Sequence, residues 1–214
     1  MQNNHNPNFL IKHKIFIINL IIPLLLILFT FFNKNLDSPS ILKFNNQTAE
    51  ILITKIGDKN LIFTNAIALS FILIKKDYQG LFLYIKTFIP LAITTEAIKR
   101  LVKRERPNKV NTKSFPSGHS ALSFIAFIFI FFRYGFKLSL PFLLITLFIG
   151  YSRISTNWHY ISDVLSGFLL SYIFTYILKQ NTSSKFLTKS NFLFCILTLI
   201  FIIFNLLLLI ILLH

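Results

Sequence analysis

Three short clusters hold most of the polar chemistry of an otherwise oily chain: Lys99-x6-Arg106-Pro107, Pro116-Ser117-Gly118-His119, and Ser152-Arg153-x5-His159-x3-Asp163. Lys99, Arg106 and Arg153 are fixed positive charges, and a guanidinium suits bidentate contact with phosphate oxygens. His159 and Asp163 stand four residues apart, so on one helical face the carboxylate can accept a hydrogen bond from an imidazole nitrogen. Such a bond fixes the tautomer and leaves the other nitrogen as nucleophile or base. The competing reading of that pair is structural, a His–Asp contact that closes a helix start. His119 follows Ser117-Gly118 at the head of an apolar run, where the free amides and dipole of a helix start favour an anion. Gly118 lets backbone approach such an anion closely. The Ser117 hydroxyl offers one more donor, and Pro107 sets a rigid exit from the first cluster.

The elements that must position these residues are membrane helices. In 214 residues, 54% are hydrophobic and mean hydropathy is +0.67, which places the chain among polytopic membrane proteins. That length allows six or seven spans. The expected fold is an all-α membrane bundle of six core helices with a seventh at the C-terminus. Apolar runs predict spans over 15–32, 61–74, 80–102, 121–132, 138–151, 161–178 and 191–213. Residues 1–14 read as a cytoplasmic tail, 15–178 as the membrane domain carrying the clusters, and 179–214 as a polar loop and the last span. The first run is long, contains Pro23 and lacks a small-residue cleavage site, so an uncleaved helix is expected over a signal peptide. Around 49–56, in the longest polar interval, the sequence suggests either a short amphipathic helix lying in the interface or a plain connector. Lys86 is costly in lipid unless it faces the bundle or snorkels. His5 and His13 read as solvated side chains, and Cys195 as a small hydrophobe inside an apolar run.

Alternation through these spans puts all three clusters on one side of the membrane, as a single site requires. The opposite side carries nine cations: Lys12, Lys14, Lys75, Lys76, Arg133, Lys137, Lys179, Lys185 and Lys189. The cluster side carries twelve, of which eight, from Lys99 onward, sit in or beside the clusters where an anion site would retain them. Setting those aside leaves four against nine, and the excess puts the N-terminus in the cytoplasm and the clusters outside, toward a periplasm if the cell has one. A net charge of +15 invites a nucleic-acid reading, but the charges punctuate hydrophobic segments and form no stripe on a soluble face. The expected partners are the lipid bilayer and a membrane lipid, with no nucleic acid; oligomeric state is open. Glu96, Arg100, Lys103, Arg104 and Glu105 read mainly as interfacial charges at the mouth, ahead of direct catalytic roles. Seven acids are scattered along the chain and only Asp163 stands near a histidine in sequence, so no metal cluster is expected.

The three clusters together resemble the signature of the type 2 phosphatidic acid phosphatase superfamily, with all eleven specified positions present in order. The resemblance covers roughly residues 60–178. One departure is that eight residues separate Pro107 from Pro116, which is short and leaves little room for a lid. The resemblance implies a metal-independent, cofactor-free hydrolase. His159 would attack phosphorus to give a phosphohistidine, Asp163 would orient it, and His119 would protonate the departing oxygen. Lys99, Arg106, Ser117, Gly118 and Arg153 would hold the phosphoryl oxygens. It further implies an envelope lipid as substrate, lipid A 1-phosphate or undecaprenyl diphosphate ahead of phosphatidylglycerophosphate or a broad lipid range. A transporter or silent scaffold is the alternative from another class, but no cluster residue is lost and no internal repeat is evident. A haloperoxidase shares the signature but is usually soluble.

Overall fold

The computed structural model describes residues 7–33, 37 and 47–180, with side chains described over 15–33, 37 and 48–179. Six helices follow in order: α1 Pro7–Phe32, α2 Gln47–Ile74, α3 Tyr78–Val102, α4 Gly118–Tyr134, α5 Phe136–Ser155 and α6 Ile161–Gln180. All but α4 are long and apolar enough to cross a membrane. The expected seventh span, 191–213, lies outside the described residues.

The shortest helix is the one the others surround. α4 reads Ala-Leu-Ser-Phe-Ile-Ala-Phe-Ile-Phe-Ile-Phe-Phe after its first turn, apolar on every face, and a helix of that kind is stable only when enclosed. It packs against α2, α3, α5 and α6, and every residue from Ser123 to Arg133 is buried. α1 leans on α6 from outside, joined by Tyr172 Oη to Asn19 Oδ1 at 2.9 Å and by Thr30 to Ser166 at 3.1 Å. Its other face exposes Ile18, Leu24, Leu25, Leu28 and Phe29, the surface a bilayer would cover.

Several boundaries differ from the sequence reading. α2 is one helix of 28 residues where an interfacial helix or connector followed by a short span was expected. Gly57 does not break it, because the missing side chain is used: a Cβ there would stand 2.4 Å from Arg153 Nη2 and from Ser152 Oγ of α5. The polar run Gly57-Asp58-Lys59-Asn60 therefore continues the helix and is not a turn. α1 begins at Pro7 rather than near residue 15. α3 begins two residues earlier than expected, where the Asp77 carboxylate accepts from Gly80 N at 2.9 Å as its N-cap. α5 runs four residues past its expected end, so Ser152 and Arg153 occupy its last turn. Lys86 is exposed on the outer face, its ammonium 5.8 Å from the Phe82 ring one turn away, which is snorkelling rather than burial in the bundle.

Candidate active site

Four helix ends meet at one end of the bundle: the C-termini of α3 and α5 and the N-termini of α4 and α6. The loop after α3 is folded onto the α5–α6 connection by Asn108 N donating to Asn157 O at 3.1 Å, and it folds on itself through Ser114 N to Arg104 O at 3.0 Å. Ser117 N donates to the Asp163 carbonyl at 2.9 Å, fixing the start of α4 against the start of α6. Gly167 makes this approach possible, since a Cβ there would lie 2.6 Å from the Ser117 carbonyl. The three clusters thus become one site.

His159 sits just ahead of α6, nearly fully buried at 3% exposure. Arg106 Nη1 donates to the Trp158 carbonyl at 2.8 Å and lies 3.1 Å from His159 Nε2. A guanidinium only donates, so Nε2 is the acceptor and the imidazole hydrogen is on Nδ1. That nitrogen faces Asp163 Oδ2 at 3.6 Å, close enough for charge to act but beyond a direct hydrogen bond. Burial pushes the His159 imidazole down to about 4; the Lys99 and Arg106 charges push the same way, against the Asp163 carboxylate. Burial also lowers Arg106 from its ordinary value, although the Asp163 charge opposes it.

Asp163 is held more firmly than the histidine it faces. Arg104 Nη1 donates to Oδ1 at 2.8 Å, while Tyr160 N donates to Oδ2 at 2.9 Å and Ser114 Oγ donates to the same oxygen. Arg104 also pairs with Asp37, beyond α1, and Asp37 accepts from Ser162 Oγ at 2.7 Å. Burial raises Asp37, with Ser162 and Arg104 opposing. The guanidinium of Arg104 lies 4.3 Å from the Tyr160 ring centroid. The expectation that Arg104 is a charge at the mouth is therefore corrected: it is tied to the acid of the third cluster. Glu96 and Arg100, by contrast, pair at 3.0 Å on the exposed face of α3, as rim charges do.

Lys99, in the last turn of α3, is mostly buried and donates from Nζ to the Lys113 carbonyl at 3.2 Å. It stands over Gly118, whose absent Cβ would be 3.8 Å from Nζ. Ser117 is the N-cap of α4, accepting from Ser120 Oγ at 2.9 Å and from Ser120 N at 3.4 Å. That hydroxyl is engaged with its own helix in this state. His119, in the first turn, and Arg153 share a partner that sequence reasoning missed. Asp58 Oδ1 of α2 lies 2.9 Å from His119 Nε2 and 2.9 Å from Arg153 Nη1. Arg153 further donates to the Thr54 carbonyl at 3.0 Å and to Ser152 Oγ at 3.2 Å. The one available signal for Asp58 was the Gly57-Asp58 step inside an amphipathic stretch, and it points nowhere until α2 is known to be continuous.

All eight expected site residues gather at this end of the bundle. The arrangement offers three cations and a helix start to an anion, and a neutral imidazole nitrogen to an electrophile. Among the described residues, no three His, Cys, Asp or Glu side chains come together as metal ligands would.

A lipid A 4'-phosphatase of Helicobacter pylori is 31% identical over 81 residues, 38% of this chain and 41% of that protein. A probable lipid phosphate phosphatase 4 of Arabidopsis thaliana is 32% identical over 121 residues, 36% of this chain and 39% of that one. The chain spans about two fifths of the length of these curated relatives. The crystal structure of a transmembrane PAP2 type phosphatidylglycerolphosphate phosphatase from Bacillus subtilis superposes with a TM-score of 0.59 at 19% identity, covering 78% of this chain and 94% of that one, a likeness of fold. The PAP2 superfamily model matches residues 60–187, which contain all three clusters, and the chain is a multi-pass membrane member of that superfamily.

Proposed function

We propose that the chain is a membrane lipid phosphate phosphatase working through a phosphohistidine on His159. The observation that carries this reading is the Arg106–His159 contact, which leaves Nε2 unprotonated beside a phosphate-seeking guanidinium. When a phosphoryl group enters, Arg106 exchanges Nε2 for a phosphoryl oxygen, and the lone pair of Nε2 attacks phosphorus. The bond from phosphorus to the leaving oxygen breaks as His119 gives that oxygen a proton. Positive charge then on His159 is met by Asp163, whose three other donors hold it in place. Water next attacks the phosphohistidine, His119 takes its proton, and orthophosphate leaves with the electron pair restored to Nε2. Lys99, Arg153, Gly118 and Ser117 complete the binding of the phosphoryl oxygens. In this role the Ser117 hydroxyl turns from capping α4 toward the phosphate.

The substrate we assign is an envelope lipid with a phosphate or diphosphate head at the interface. Lipid A phosphate comes first, supported by the Helicobacter pylori relative, and undecaprenyl diphosphate second. The site opens outward, with the N-terminus in the cytoplasm, on the four-against-nine balance of cations. Phosphate release by purified protein in detergent with EDTA, across lipid A, undecaprenyl diphosphate, phosphatidylglycerophosphate and phosphatidic acid, tests the assignment. Activity lost in His159→Ala is the expected result. Near wild-type turnover in that variant would remove the phosphohistidine mechanism.

A further inference from the structure

The anion-binding end of the site already holds a carboxylate. Asp58 Oδ1 lies 2.9 Å from His119 Nε2 and 2.9 Å from Arg153 Nη1, an ion-pair distance to each. With that carboxylate oxygen seated against both nitrogens, the place a phosphoryl oxygen would take beside His119 and Arg153 is filled. Arg153 is occupied likewise, its three nitrogens meeting Asp58, the Thr54 carbonyl and Ser152 Oγ.

The place of Asp58 is built into the packing. Gly57 brings α2 so close to α5 that any side chain there would strike Arg153 and Ser152. The Asp58 side chain, however, is 50% exposed, so it can swing into water without opening the bundle. Firm delivery by the helix and a free exit for the side chain suit a group that leaves and returns.

We propose that Asp58 is an internal stand-in for phosphate: its carboxylate occupies the His119–Arg153 subsite when empty, yields it to the substrate's phosphoryl group, and on returning displaces orthophosphate. The proposal rests on the phosphatase reading of His119 and Arg153. A carboxylate and a phosphate dianion cannot share these donors, because like charges about 4 Å apart repel strongly in a partly buried site. Lys99, Arg106, Arg153 and the start of α4 would otherwise retain the product after hydrolysis. A competing anion on the protein weakens substrate binding somewhat and releases the product. An orienting carboxylate for His119 would behave differently: its loss would lower kcat and leave phosphate binding unchanged or weaker.

Equilibrium dialysis of ³²P-orthophosphate against the full chain in detergent reads this without any lipid. Asp58→Ala and the near-isosteric Asp58→Asn are compared with wild type, each shown folded by its unfolding midpoint. The expected result is orthophosphate bound about tenfold tighter in both variants, with KM and the product-inhibition constant falling together on whichever lipid is hydrolysed. Unchanged or weaker orthophosphate binding in the folded variants overturns the proposal, whatever happens to kcat. Failure of the wild type to hydrolyse any lipid of the panel would count against the phosphatase reading instead, since the dialysis is scored separately.

Discussion

His159 and Asp163 divide the work of the site unequally: the acid is fixed by three donors and the imidazole by one contact to Arg106. On the proposed phosphohistidine mechanism, His159→Ala should abolish phosphate release. His119→Ala should cost roughly 10²- to 10⁴-fold in rate, the range for a lost general acid. Histidine ionisation offers a further check. The unperturbed group titrates near about 6.5, and His159 in the folded protein is pushed down to about 4. Between those values the unfolded chain takes up a proton that the folded chain refuses. Stability should therefore fall as pH drops through that window and level off below it, while the neutral, nucleophilic form persists into mild acid. Nitrogen-labelled histidine NMR, with His159→Ala to assign the resonance, reads this directly; a midpoint near 6.5 for His159 would contradict the buried geometry. Arg104→Ala should lower kcat about tenfold, a loss of about 1.4 kcal/mol in the transition state, with a smaller change in KM, because it loosens Asp163 and removes no phosphate ligand. The pairing of His159 with Asp163 was legible from spacing, since that cluster is local in sequence. Arg104 was not: its partners, Asp37 and Asp163, lie 67 and 59 residues away, and only the fold reveals that its charge is turned inward.

At the scale of elements, helix ends do the positioning, and the far end of the bundle keeps them in register. There Asp77 caps α3 and also accepts from Arg133 Nη2 at 2.5 Å and from Tyr134 Oη at 2.6 Å at the end of α4. Arg133 holds the Asp77 carboxyl well below the usual carboxylate range. Asp77→Ala should leave Arg133 buried without its carboxylate. The cost should be about 3 kcal/mol, the low end for a broken buried pair because Asp77 is partly exposed. Unfolding in mixed micelles measures it, and removing both partners, Asp77→Ala with Arg133→Met, should recover part of the loss. The span at α4 was easy to anticipate, since its run is apolar all round, though not its central place. α2 was not, because its polar step at Gly57-Asp58 has the composition of a turn. What keeps α2 helical is tertiary, the contact of Gly57 with Arg153 and Ser152. Composition carries no record of a contact nearly a hundred residues away.

For the whole molecule, the decisive quantity is which side of the bilayer the assembled site faces. The described helices put the site at the end where α1, α3 and α5 finish, and the α2–α3 turn at the other. Of the cations outside the clusters that fall in described helices and turns, most stand at the α2–α3 end, and we propose on the positive-inside rule that this end lies in the cytoplasm. The proposed outward-facing arrangement makes an observable prediction. Val110, in the loop after α3, and Lys76, in the α2–α3 turn, are both exposed, so each accepts a cysteine without disturbing the core. With the native Cys195 replaced by serine, Val110→Cys in intact spheroplasts should react with a membrane-impermeant maleimide. Lys76→Cys should react only after lysis. The reverse pattern would turn the protein over and give its active site access to cytoplasmic-leaflet lipid, which would remove the argument for an envelope lipid handled at the outer face. Because a phosphate head group does not cross the hydrocarbon region unaided, the side on which Val110→Cys is labelled is the side from which the substrate must be presented.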